Sequence, residues 1–111
     1  MPSTGFVSTY PLTCAGITQN VGLVMPGVYA LGDIDQNGAF YVRLVGRSDN
    51  DVGGRLRDYL GKYQAFMFSY YRSAREAYEK ECELYHAFDP NDNDFHPDSP
   101  ANALRICPWC R

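Results

Sequence analysis

The sequence predicts an α+β domain, a three-stranded mixed sheet with helices packed against it. Three observations carry this expectation. Two β-rich runs flank an Asp-Gln-Asn-Gly turn, a third run of almost wholly apolar and aromatic residues follows a short helix, and a capping box opens a final amphipathic helix.

Residues 1–22 mix Pro, Thr, Ser and Gly without a sustained period and read as a flexible or extended N-terminal arm. Structure is expected to begin at Leu23. The run Leu23 to Leu31 is β-rich, and Pro26 within it marks a sheet edge or a strand start. Asp35-Gln36-Asn37-Gly38 is a hairpin signal, because Asn-Gly readily adopts positive φ. Ala39 to Gly46 is the return strand. Asp49-Asn50-Asp51 supplies caps for a helix over roughly 52–61, although Gly53 and Gly54 weaken its start. Gln64 to Tyr71 reads as the third strand. In Ser73-Ala74-Arg75-Glu76 the serine hydroxyl and the glutamate satisfy orphan backbone donors at the head of a helix over 74–87. Beyond Phe88 the chain is polar and rich in Pro, Asn and Asp, and it closes on Cys107-Pro108-Trp109-Cys110. The organisation expected is an arm over 1–22, a domain over 23–93 and a tail over 94–111.

Composition narrows the function. With 111 residues there is room for one core. A mean hydropathy of -0.37 and the lack of a long apolar run exclude a transmembrane helix. No basic stretch leads into an apolar one at the start, so a cytoplasmic location and no membrane association are expected. A net charge of -3 argues against non-specific avidity for nucleic acid, while ten Lys and Arg residues suffice for a local basic surface. Asp33 to Gly38 begins like a calcium loop, but its twelfth position is Leu44 where a bidentate Glu belongs, and a hairpin turn explains it better.

One carboxylate stands out. Spacings of three and four on the last helix gather Ala74, Ala77, Tyr78, Leu84, Tyr85 and Phe88 into an apolar stripe, and Glu81 falls in its middle. A carboxylate on a core-facing surface needs a compensating charge, either a metal ion or a buried Arg, unless the helix turns it to solvent.

Gly27-Val28-Tyr29 on the first strand and Leu44-Val45-Gly46-Arg47-Ser48 ending the second resemble the paired signature of the GIY-YIG nuclease family. Arg55 opening the next helix, Tyr59 four residues on, Glu81, and then Pro90 and Asn93 resemble the family's Arg, its His/Tyr position, its metal-binding Glu and its closing Pro-x-x-Asn. The second signature normally begins with Tyr, and Leu44 stands there instead. Tyr41 lies nearby, but on strict alternation an offset of three puts it on the opposite strand face.

The resemblance implies a GIY-YIG nuclease-like fold and metal-dependent hydrolysis of DNA phosphodiester bonds, with Tyr29, Arg55, Tyr59 and Glu81 catalytic and Arg47 and Ser48 contacting substrate. Glu81, a hard oxygen ligand, suits Mg²⁺ or Mn²⁺. Arg55 clamps a phosphate oxygen through its planar fork, and Tyr29 orients or deprotonates the attacking water. The alternative implied by Leu44 is a catalytically impaired module that binds nucleic acid or protein. DNA is the expected partner, with a protein partner or a second copy supplying specificity.

Cys107-Pro108-Trp109-Cys110 is half of a tetrahedral zinc site. Cys82 and His86, four apart on the last helix, share a face and are the expected other half, with His96 and the weaker Cys14 as competing ligands. The zinc-knuckle tail expected from this set is structural, stapling 94–111 to the helix that presents Glu81.

Overall fold

A computed structural model describes residues 3–100 together with Cys107 and Trp109. Its elements are β1 (Tyr10–Pro11), α1 (Cys14–Asn20), β2 (Gly27–Ile34), β3 (Phe40–Ser48), α2 (Val52–Arg57), β4 (Ala65–Tyr70) and α3 (Ala74–Phe88). The α+β class holds, but the sheet has four strands in the order β1-β4-β2-β3, and every pairing is antiparallel. The mixed, three-stranded expectation is corrected for a topological reason. The crossover through α2 does make β3 and β4 run the same way, but β2 lies between them, so no parallel pair forms.

The hairpin joining β2 and β3 turns where expected. Gly38 has φ +83°, Asp35 N–H donates to Ala39 O at 2.9 Å, and Asp35 Oδ1 accepts from the amides of Asn37 and Ala39 at 2.8 and 2.9 Å. Positive φ is open to glycine without a Cβ penalty. Register slips between Leu31 and Gly32, leaving Arg43 as the extra residue of a bulge in β3. Strict alternation therefore fails across it: Val42 and Val45, three apart, both join the cluster under α3, while Leu44 packs on the other face. Tyr41 and Leu44 pair with Asp33 and Leu31, two apart on β2, so alternation does not set them on opposite faces.

The helices sit on both faces of the sheet. One face packs Tyr29, Leu31 and Phe66 against Ile17 of α1 and Val52 and Leu56 of α2. The other packs Val28, Ala30 and Val45 against Ala77 and Leu84 of α3. The caps follow the sequence reading: Asp51 accepts from Gly54 N–H at 3.1 Å and Ser73 from Glu76 N–H at 3.2 Å. The α2 helix is shorter than expected, ending at Arg57 in a series of turns that reaches Gly61 at φ +82°.

The supposed arm is also folded. Thr13 caps α1 by accepting from Gly16 N–H at 2.9 Å, Pro11 and Tyr10 pair with β4, and Leu12, Ile17 and Val21 are buried. Its polar composition hid these few apolar anchors. Ile17 is wholly inaccessible to solvent, so Ile17→Ala is expected to cost about 2–5 kcal/mol by the cavity it leaves. Urea denaturation checks this, and a loss below about 0.5 kcal/mol, the range of an exposed substitution, would restore the arm reading.

Candidate functional site

The edge strand β3 ends among the side chains singled out in the sequence. Val28 pairs with Arg47 and Tyr29 with Gly46, so consecutive residues reach opposite faces of the sheet end. Tyr29 and Leu44 point to the α2 side, where Arg55 and Tyr59 approach, and Arg47 points to the α3 side, where Glu81 meets it. The result is two adjoining hollows of about 370 and 290 Å³ that share Arg47, Arg55, Glu81 and Asp98. Tyr29, Leu44 and Tyr59 line the smaller, and Ser48, Asp49 and Asn50 the larger. Tyr41 lines neither.

Gly46 makes this packing possible. A Cβ there would collide with the hydroxyl and Cζ of Tyr29, whose ring lies directly over the glycine. The ring is buried and tilted against Tyr59 at 5.9 Å between centroids. Burial pushes the Tyr29 phenol well above its ordinary range, Tyr59 adds to this, and the Arg55 guanidinium beside it only partly opposes. Tyr29 therefore keeps its proton at neutral pH, where a phenol donates a hydrogen bond more readily than it takes up a proton. The neighbouring phenol in turn raises the pKa of Arg55, which stays a full cation.

Glu81 is 8% exposed, and its charge has an answer: Arg47 Nη1 donates to Glu81 Oε1 at 2.6 Å. The same guanidinium donates from Nε to Asp49 Oδ1 at 2.7 Å and lies 5.2 Å above the Tyr78 ring. Of the two compensations expected for this carboxylate, the buried Arg is present. Burial still outweighs Arg47 and raises the Glu81 pKa, while burial opposes and the Asp49 and Glu81 contacts together raise that of Arg47. Arg47 is thus bound to protein carboxylates, and Ser48 Oγ accepts from the amides of Asn50 and Asp51 at 3.3 and 2.8 Å, shaping the turn into α2.

The tail contributes more than its composition suggested. Asn93 pairs with the open edge of β3 as a strand would, its Oδ1 accepting from Val45 N–H at 2.8 Å and its Nδ2 donating to Val45 O at 2.9 Å. Residues 94–98, placed outside the domain by sequence, form a wall of the smaller hollow. Asp98 and Asp49 were missed as site residues; Asp98 sits in a polar run with no periodicity, and Asp49 read only as a helix cap.

A second group lies behind Glu81. The ligand atoms of Cys82, His96 and Cys107 are all within 4.8 Å of one another, a set able to hold a metal ion and the one such group among the described residues. Cys82 and Cys107 are buried thiols. His96 thus occupies the place expected for His86, because the tail folds across α3 and brings His96 inward while His86 remains exposed. His86 Nε2 is 3.3 Å from His96 Nε2. Cys14 is exposed at the start of α1 and outside the group, and Cys110 lies outside the described residues.

No family model, curated protein or solved structure matches the chain. Among the described residues no helix is long and apolar enough to cross a membrane.

Two substitutions test the geometry. Gly46→Ala should displace the Tyr29 ring and cost about 1–3 kcal/mol through overpacking, measured by urea denaturation. Arg47→Ala leaves Glu81 buried without its partner and should cost about 3 kcal/mol at neutral pH. A carboxyl whose folded pKa is raised favours the fold while protonated and loses that contribution as pH rises through the folded value. The Arg47→Ala penalty should therefore shrink as pH is lowered and Glu81 takes up a proton; a penalty that stays constant with pH would refute the pairing.

Proposed function

We propose that this chain is a metal-dependent endonuclease that hydrolyses DNA phosphodiester bonds in the manner of the GIY-YIG nucleases. The observation that carries the reading is convergence: Tyr29, Arg47, Arg55, Tyr59 and Glu81, drawn from separate elements, meet around one open cleft at the end of β3.

The donor set fits Mg²⁺ or Mn²⁺. Glu81 offers one hard carboxylate in a hollow that Asp49, Asp98, Ser48 and Asn50 also line with oxygen. These carboxylates do not close into a cage, which suits an ion that takes one or two of them and keeps waters and a substrate phosphate. When bound, such an ion supplies charge neutralisation at the phosphate and at the departing oxygen. Glu81 holds it, and protonation of this raised-pKa carboxyl at lower pH opposes binding. Arg55, exposed and facing the cleft, grips a non-bridging oxygen. Tyr29, protonated and fixed over Gly46, orients the attacking water, with Tyr59 beside it. Arg47 positions Glu81.

The Cys82–His96–Cys107 group takes zinc in a structural role, the soft thiolates and the imidazole being its preferred donors. DNA is the substrate, and a protein partner or second copy provides the specificity that so small a domain lacks. The rival reading, a binding module that has lost activity, is favoured by Leu44 in place of the signature Tyr and by the existing Arg47–Glu81 pair.

Plasmid nicking with Mg²⁺ or Mn²⁺ decides between them. Wild type should cleave and Glu81→Ala should lose about 100-fold or more, the scale of an essential group. Equal nicking by both proteins would reject Glu81, and binding without cleavage would favour the inactive module. Leu44→Tyr, adding a hydroxyl to the wall beside Tyr29, should raise the rate; an unchanged or lower rate would show that Leu44 is not the limiting departure.

A further inference from the structure

We propose that Cys82, His96 and Cys107 are completed by His86 as a Cys₂His₂ zinc centre, and that this centre fastens residues 92–98 across the pocket as its wall. The inference rests on the zinc assignment above and not on the hydrolytic one.

Cys82, His96 and Cys107 already stand within 4.8 Å of one another, and the exposed His86 ring lies outside that group, so its place as the fourth ligand rests on its closeness to His96. Two nitrogens bound to one tetrahedral zinc at about 2.0–2.1 Å lie roughly 3.3–3.4 Å apart, and the Nε2 atoms of His86 and His96 are separated by 3.3 Å. His96 Nδ1 is 2.8 Å from Pro97 O. A carbonyl only accepts, so Nδ1 carries the hydrogen, and in the neutral ring the lone pair is then on Nε2. Metal-bound histidines are commonly oriented in this way, with the second ring nitrogen donating to a backbone carbonyl. Cys82 and His86, four apart on α3, present donors from adjacent turns of one face.

The fastening follows from where the wall is held. At one end Asp92 N–H donates to Arg43 O at 3.0 Å, Tyr63 Oη donates to Asp92 Oδ2 at 2.6 Å, and the Asn93 side chain joins the backbone of Val45. At the other end stands His96. Between them Asp94 is exposed and Phe95 is 84% exposed, so these two side chains contribute little to holding the wall, whose one buried residue, Pro97, directly follows His96. On α3 the ligand Cys82 directly follows Glu81, so the centre borders the pocket through the helix as well as through the wall.

The test uses the full chain, with zinc measured by mass spectrometry and backbone mobility by hydrogen exchange. Protein purified without added zinc should carry one zinc per chain. Chelation, or Cys107→Ser, should speed exchange of the 93–98 amides by about tenfold or more, while the β2 amides stay protected and show that the fold persists. Cys107→His, which keeps a zinc donor, should restore zinc and slow exchange. His86→Ala should weaken zinc binding by at least about tenfold, and Cys110→Ser should leave it unchanged. Zinc kept by His86→Ala but lost by Cys110→Ser overturns the Cys₂His₂ set. A chain with no zinc, or with Cys82 and Cys107 joined as a disulfide, overturns the centre and the zinc assignment together. Full zinc whose removal leaves 93–98 unchanged overturns the fastening alone. None of these outcomes depends on whether DNA is cleaved.

Discussion

The double burial of β2 is the constraint on which the remaining architecture depends. This strand is hydrogen-bonded along both edges and covered on both faces, so its alternate side chains belong to two different cores. Val28 and Ala30 support α3, while Tyr29 and Leu31 support α1 and α2. One residue of slippage would exchange these sets and place the Tyr29 ring under α3. Because Tyr29 also fits over the one β3 position without a Cβ, the register of the sheet and the position of the phenol are fixed together.

The pocket is electrostatically tight. Two arginines and three carboxylates share the larger hollow, and Glu81 and Arg47 are nearly shut off from solvent. Such a pair gives little net stability, because desolvation cancels much of its attraction. What it gives is order: Arg47 is held from three sides by Asp49, Glu81 and the Tyr78 ring, and Glu81 is aimed at the cleft from the middle of an otherwise apolar helix face.

The parts of this design carried by local chemistry were legible in the sequence. The Asn-Gly turn, the Asp51 and Ser73 caps, the two long strands and the anomalous position of Glu81 all depend on near neighbours or a short period. The partner of Glu81 was not legible, since Arg47 lies 34 residues away and nothing local distinguishes it from a surface arginine. The β3 bulge escaped for the same reason, because its extra residue shows only against β2. The N-terminal segment and residues 94–98 were misplaced because their folding rests on a few long-range contacts, Ile17 in the core and His96 beside Cys82 of α3, within otherwise polar stretches. His96 was named among the zinc donors, but its precedence over His86 depends on the path of the tail.

The Asn93 contact has a consequence for self-association. β3 lies at the margin of the sheet, where unpaired amides and carbonyls invite a strand from another molecule. Asn93 occupies both backbone groups of Val45, and Asp92 takes the carbonyl of Arg43. Two side-by-side residues of a polar loop thus act as a short false strand, too brief to extend the sheet and sufficient to blunt the middle of its edge. Another copy adding a strand along the β3 margin would have to strip them away first.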